Sequence, residues 1–436
     1  MFRDALNDLM SWKNSDTRKP LVIRGARQVG KTWLMQNFGE TQYRQYAYIN
    51  FENNERMKQL FSSGLQIARI IAGLQIESGV TIDPQDTLLV FDEVQEVPAA
   101  LTSLKYFCEN APEYQIVAAG SLLGIAMHPG TSFPVGKVAF MDLHPLDFTE
   151  FLLATDRQKL SHLLEEQDFG LITTFKTSFI DALKEYYFVG GMPEAVAAFA
   201  ARSDYSEVRS IHTNILAGYE QDFSKHAPPN IVPRIRMLWN SVPAQMAKEH
   251  KKFIYGLVKT GARAREYEIA MTWLIDCGLI HKINLISKPS VPLAAYANSS
   301  SFKLFLVDVG LLGALSHLDA KSIIEGNDIF KEFKGALTEQ FVLQQFVRNT
   351  EIQPHYWTAA KGTAEIDFVI QLHGDVIPVE VKAAENLQAK SLKSYIDRYK
   401  PKHAVRTSMS NFREEDRMIN IPLYAIGGLP AILTRM

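Results

Sequence analysis

Residues 25–32 read GARQVGKT, a G-x-x-x-x-G-K-[ST] pattern. In such a loop the backbone N–H groups turn inward around phosphate oxygens, and the helix that follows adds the partial positive charge of its N-terminus. Lys31 is then placed to reach the β- and γ-phosphates of ATP, and the Thr32 hydroxyl to ligate Mg²⁺. The nucleotide-contacting set is expected to comprise Gly25, Ala26, Arg27, Gln28, Val29, Gly30, Lys31, Thr32 and Trp33. Residues 87–93, TLLVFDE, end an apolar run in two acids. Asp92 is expected to hold the Mg²⁺ shell, and Glu93 to polarise the attacking water as general base. Ser121 follows a third apolar run, YQIVAAG. It is expected either to contact the γ-phosphate or to cap a helix.

Those groups need rigid supports. Leu21, Val22 and Ile23 form a short apolar run suited to a buried central strand, and WLMQNFGE keeps helical spacing to about Gly39. Leu88 through Phe91, residues 114–119 and residues 46–51 (YAYINF) supply further strands. Strands alternating with helices predict a parallel sheet covered on both faces.

A second constellation lies near the end of the chain. Residues 365–383, EIDFVIQLHGDVIPVEVKA, read as two strands about a two-residue turn. With His373-Gly374 as the loop, Asp367 lies across from Glu380. With Gly374-Asp375, it faces Lys382. Either register gathers Asp367, Glu380 and Lys382 on one face, with Ile366, Phe368, Ile370, Val379 and Val381 on the core face. Asp367 and Glu380 are hard oxygen ligands suited to Mg²⁺, which would stabilise charge on a scissile phosphate and acidify a water. Lys382 would orient that water or neutralise the intermediate. The same three residues also fit an ordinary cross-strand ion-pair pattern. The D-x(n)-[DE]-x-K spacing resembles the restriction-endonuclease-like nuclease fold. That resemblance implies that Glu339, on a helix over residues 330–347, supports the metal or the fold. Trp357 falls on a preceding strand. Lys390 and Lys393, on the next helix, are expected to hold a nucleic-acid backbone.

Between these sites the spacing from residue 148 to about 216 is helical, broken by Gly190-Gly191-Met192-Pro193, which is a hinge or a helix-to-helix turn. Two helices and two short apolar strands, LIHKINLI and FKLFLVD, then suggest a winged helix. Lys248, Lys251, Lys252, Lys259, Arg263 and Arg265 make a local basic stretch, diluted by Glu249, Glu266 and Glu268. It fits a DNA-backbone footprint, a solvated helix face, or a contact with a neighbouring subunit's nucleotide.

Across GARQVGKT, FDEVQEVP, AAGSLLG, FPVGKVAFMDLHPLDFTEFL, YFVGGMPEAV and FKLFLVDVGLL, nearly the whole chain resembles the bacterial and archaeal AAA-type ATPases that carry a C-terminal nuclease-like domain. The resemblance implies an α/β P-loop ATPase core over residues 1–150 and a helical lid over 151–228. A winged-helix-like module over 229–325 and a restriction-endonuclease-like α/β domain over 326–436 complete it. The family usually places an arginine where this chain has Lys137, a point charge without a planar fork.

Gross composition fits this plan. The chain has 436 residues, 47% hydrophobic and 22% charged, an ordinary globular mixture long enough for two to four domains. A net charge of -2 gives no overall pull toward nucleic acid, so any basic surface is local. Cys108 and Cys277 lie far apart, which fits a reducing cytoplasm rather than a disulfide framework. The polar, amphipathic start lacks the apolar run of a signal peptide, and no later run is long enough for a bilayer. The expectation is a cytoplasmic ATPase that binds ATP and ADP with Mg²⁺, acts on DNA through its C-terminal domain, and assembles as a nucleotide-dependent homo-oligomer. Two rivals are an ATP-dependent switch whose last domain is a non-cleaving interaction module, and a constitutive nuclease whose ATPase gates oligomerisation.

Overall fold

The computed structural model describes residues 2–120, 134–248, 252–326, 331–359, 364–385 and 388–436. It divides into two compact units. One comprises Arg3–His144 with Asp276–Gly278; the other comprises Pro145–Ile275 and Leu279–Met436.

The first unit is built on five parallel strands: β1 (Leu21–Arg24), β2 (Gln45–Asn50), β3 (Thr87–Asp92), β4 (Gln115–Ala119) and β5 (Ala139–Asp142). Their order is β2-β3-β4-β1-β5. β4 therefore separates β1, which delivers the glycine loop, from β3, which delivers the two acids. Every residue of β3 and β4 is buried, as apolar runs without alternation require when helices cover both faces. Phe51, Phe61 and Phe91 meet edge to face at centroid distances of 5.4–6.2 Å. Burying each ring is worth about 2–3 kcal/mol and fixes the end of β3 where Asp92 and Glu93 emerge.

The second unit begins with helices, including Phe148–Ala154, Lys176–Val189, Pro193–Arg202 and Tyr205–His226. Its sheet contains β6 (Ile280–Ile286), β7 (Ala297–Leu306), β8 (His355–Thr358), β9 (Glu365–Leu372), β10 (Asp375–Val381), β11 (Ala404–Ser408), β12 (Arg413–Glu415) and β13 (Met418–Pro422). These eight strands run in the order β12-β13-β11-β10-β9-β8-β6-β7. The helix Lys331–Val347 packs on β9 through Phe346 and Phe368, and the helix Lys390–Tyr399 packs through Tyr395 on Trp357.

The strands expected as the wing of a winged helix thus have another fate. β6 and β7 pair with each other and then join the C-terminal sheet, where Leu285 meets Tyr356. The reason is burial: Ser301 through Leu306 are all buried, and a two-stranded ribbon exposed to solvent could not hide both faces.

The lid, middle and C-terminal segments are grouped in this one compact unit. A buried polar network ties them. Asp308 caps the helix Val309–Leu315 by accepting from Leu311 N at 3.0 Å, and also accepts from Gly191 N at 2.6 Å and Gln344 Nε2 at 3.0 Å. Gln344 Nε2 also donates to the Tyr186 hydroxyl, which itself donates to Leu146 O at 2.5 Å. Leu146 N closes the circuit by donating to Gly191 O at 2.7 Å. A Cβ on Gly191 would lie 2.0 Å from Leu146 O, so the second glycine of the GGMP break serves this close approach.

Candidate nucleotide site and C-terminal acid cluster

The glycine loop runs from β1 into the helix Lys31–Gln42, as its sequence context requires. Gly25 has φ +148°, and a Cβ there would lie 2.3 Å from Leu143 O. Gln28 and Gly30 also take positive φ, 66° and 93°, which turns successive N–H groups toward one side of the loop. Arg3 staples the loop from outside: its guanidinium donates to Val29 O at 3.0 Å and to His144 O at 2.6 Å. Lys31 Nζ donates to the carbonyls of Gly25 and Ala26 at 2.9 and 2.7 Å. Burial pushes this ammonium down to about 8, with Glu93 and Asp92 opposing the fall and Arg27 adding to it.

Opposite the loop, the Thr32 hydroxyl donates to Asp92 Oδ2 at 2.7 Å. The same carboxylate oxygen accepts from the Tyr48 hydroxyl at 2.9 Å, and Asp92 Oδ1 accepts from Glu93 N at 3.0 Å. Glu93 is left-handed, φ 51° and ψ 42°, a conformation that an ordinary side chain adopts only where its surroundings impose it. Its Oε2 accepts from Gln95 Nε2 at 2.5 Å. The hydroxyl–carboxylate pair of Thr32 and Asp92 fits Mg²⁺, which is typically held by one or two protein oxygens together with phosphate oxygens. Trp33 is 38% exposed at the start of the helix. Lys137 pairs with Glu109 at 2.9 Å. Ser121 lies outside the described residues. Tyr48 was not among the expected site residues; its place on the strand beside β3, in register two residues before the Asn50–Asp92 pair, is the signal that could have found it.

In the C-terminal hairpin His373 and Gly374 form the loop, with φ 50° and 85°, the geometry that a tight two-residue turn demands. Leu372 pairs with Asp375 and Phe368 with Val379, so the register carried one step further sets Asp367 across from Glu380. The charged face is not a solvent face. Glu380 is 4% exposed and Asp367 is largely enclosed. Asp367 Oδ2 accepts from Val381 N at 2.8 Å, and Glu380 Oε1 pairs with Lys382 Nζ at 2.5 Å. Burial, then Glu339 and Glu380, push Asp367 well above the usual carboxylate range, with Lys303 and the Val381 N–H opposing. Burial likewise raises Glu380 against the pull of Lys382.

Lys303 was missed by sequence reasoning. It is fully buried on β7, with Nζ 2.5 Å from Glu365 Oε1, 3.7 Å from Glu339 Oε2 and 3.9 Å from Asp367 Oδ1. Burial alone would lower its basicity; the three carboxylates raise it above the ordinary lysine value and keep it charged. Among the described residues no group of three or more His, Cys, Asp or Glu side chains is arranged to hold a metal ion. Asp367 lies across from Glu380, but the Lys303 ammonium faces Asp367, Glu339 and Glu365 while Glu380 pairs with Lys382, and the set does not fit a divalent cation as it stands.

Elsewhere, Lys252, Lys259, Arg263 and Arg265 are exposed, as are Lys390 and Lys393. Lys248 donates to Gln245 Oε1 at 3.2 Å, and Lys251 lies outside the described residues. Among the described residues no helix is long and apolar enough to cross a membrane.

Three protein families match successive parts of the chain. Residues 17–152 match a family described as an AAA domain. Residues 180–322 and 334–426 match two families described as domains of unknown function, DUF8612 and DUF4143. No curated protein matches the chain. Among solved structures, the Walker-type ATPase PABY2304 of Pyrococcus abyssi is similar at 13% identity, covering 72% of this chain and 96% of its own, with a TM-score of 0.47. The Aeropyrum pernix ORC1 protein, solved in complex with DNA, is 14% identical over 72% of this chain and 91% of its own, with a TM-score of 0.26. Cdc6p from Pyrobaculum aerophilum is 13% identical over 74% and 92%, with a TM-score of 0.25. Residues 17–152 are an AAA-type P-loop domain built on a parallel sheet.

Proposed function

We propose that the chain hydrolyses ATP at the glycine loop and uses the nucleotide state to control a nuclease-like, DNA-directed C-terminal module. The observation that carries this reading is the 2.7 Å bond from Thr32 to Asp92, with Glu93 held one residue further on. It joins the helix start and the strand end that Mg²⁺-dependent phosphoryl transfer needs together. Mg²⁺ held by Thr32 and Asp92 would neutralise charge on the β- and γ-phosphates. Lys31 would exchange its two carbonyl partners for phosphate oxygens, recovering full charge. Glu93 would accept the proton of the attacking water at a carboxylate oxygen, with the Gln95 amide fixing its direction. Tyr48 would keep the Asp92 carboxylate from rotating away.

Support for DNA as the partner comes from the exposed Lys252, Lys259, Arg263 and Arg265 and from Lys390 and Lys393. A nucleotide-dependent homo-oligomer, with Arg263 or Arg265 reaching a neighbour's nucleotide, belongs to the same proposal. The seat of Lys303 among the carboxylates favours a second reading of the C-terminal domain, as a non-cleaving interaction module. One experiment separates these: ATP turnover measured with no DNA, single-stranded DNA and double-stranded DNA, with strand cleavage read from the same tubes. DNA stimulation of turnover supports the DNA-directed reading. An unchanged rate alongside an ATP-dependent change in oligomer size supports the switch instead.

A further inference from the structure

Two acids of β9 and one from a helix converge on a lysine from a distant part of the chain. Glu339 comes from the helix Lys331–Val347, Glu365 and Asp367 from β9, and Lys303 from β7. The three carboxylate oxygens facing Lys303 Nζ lie at 2.5, 3.7 and 3.9 Å. The ring of Tyr356 covers the ammonium with its centroid at 5.1 Å. With Lys303 fully buried, water screens little of this charge.

We propose that Lys303 is the resident cation of this cluster: its ammonium neutralises the Asp367 and Glu339 carboxylates that a nuclease would turn to a divalent metal, and the domain does not cleave. The inference rests on the nuclease-like reading of the hairpin and is independent of the ATPase assignment. Glu339, Glu365 and Asp367 offer hard oxygens of the kind Mg²⁺ or Mn²⁺ takes, but they turn toward the ammonium and are not arranged around an open cation position. An ammonium at that neighbour position repels a dication placed among the same oxygens. The backbone that carries the lysine is fixed, because β7 is held in the sheet by pairing with β6 from Ile280–Leu306 onward and its residues 301–306 are buried. Lys382, the lysine that the nuclease pattern itself supplies, is separate and is occupied by Glu380 at 2.5 Å. Lys303 therefore welds β7, β9 and the helix Lys331–Val347 into one body. Such a body is suited to presenting a fixed surface.

The test is Mn²⁺ binding to the full chain without nucleotide, followed by electron paramagnetic resonance of free Mn²⁺. It compares wild type, Asp367→Asn, Lys303→Gln, and Lys303→Gln combined with Asp367→Asn. The expected result is no Asp367-dependent site in the wild type and the gain of one in Lys303→Gln, at least about tenfold tighter than any wild-type binding. The melting temperature of Lys303→Gln, but not of wild type, should rise with added Mn²⁺ in an Asp367-dependent way. An Asp367-dependent Mn²⁺ site in the wild type overturns the role of Lys303 while leaving the nuclease-like reading in place, and this arm decides even if Lys303→Gln fails to fold. A folded Lys303→Gln that takes up no Mn²⁺ overturns the metal-scaffold reading of the hairpin as well.

Discussion

Lys31 gives nucleotide binding a pH dependence whose size follows from its burial. The buried ammonium is pushed down to about 8, against an ordinary lysine value of 10.5. Phosphate oxygens in the loop would supply the anionic partner that burial withholds and return the group toward 10.5. Below about pH 8 the lysine is charged both before and after binding, so no proton moves. Between those two values the free site is mostly neutral and the occupied site charged, so binding takes up a proton and weakens as pH rises. At about pH 9 roughly one-tenth of the free lysine is protonated. ADP should then bind about tenfold more weakly than at about pH 7, a loss of about 1.4 kcal/mol, with an uptake of about 0.9 proton. Isothermal titration calorimetry with ADP, in two buffers of different ionisation heat at each pH, measures both quantities. Lys31→Arg, charged throughout, should bind ADP with a flat profile over the same range. Equal wild-type affinities at both pH values, with heats independent of buffer, would refute the burial argument.

Two further perturbations test other parts of the structure. Gly191→Ala forces a Cβ to within 2.0 Å of Leu146 O and breaks into the Asp308 network; a loss of about 3–5 kcal/mol is expected in urea unfolding, and an unshifted midpoint would remove the network from its structural role. Thr32→Val deletes the hydroxyl bonded to Asp92 but leaves the backbone cradle, so ADP should still bind without Mg²⁺ while ATP turnover loses its response to added Mg²⁺. A normal Mg²⁺ response in that variant would take Thr32 out of the metal shell.

The nucleotide site was legible because its chemistry is local. A glycine loop flanked by a strand and a helix is contiguous in sequence, and the apolar run before Asp92 and Glu93 announces its own burial. Alternation also placed Asp367, Glu380 and Lys382 on one face, although choosing between the two registers needed the positive φ values of both His373 and Gly374. What could not be read was long-range. Lys303 reaches Glu365 only because β6 adds to β8, a pairing for which no local signal exists. Gly190-Gly191 looked like a hinge or a turn because both are local meanings; its actual constraint is Leu146, Asp308 and Gln344 meeting around it. The expected wing went astray for the same reason: period and length specified a hairpin, and only tertiary burial decided which sheet it would extend.

On the proposed mechanism, Glu93 serves a hydrolytic site assembled by Thr32, Asp92 and Lys31. Steady-state ATP turnover and nucleotide affinity of wild type and Glu93→Gln, measured with Mg²⁺ on the same preparations, test it most directly. Retained ATP binding with turnover reduced by about 100-fold or more is the expected result. Turnover in Glu93→Gln equal to that of the wild type would contradict it.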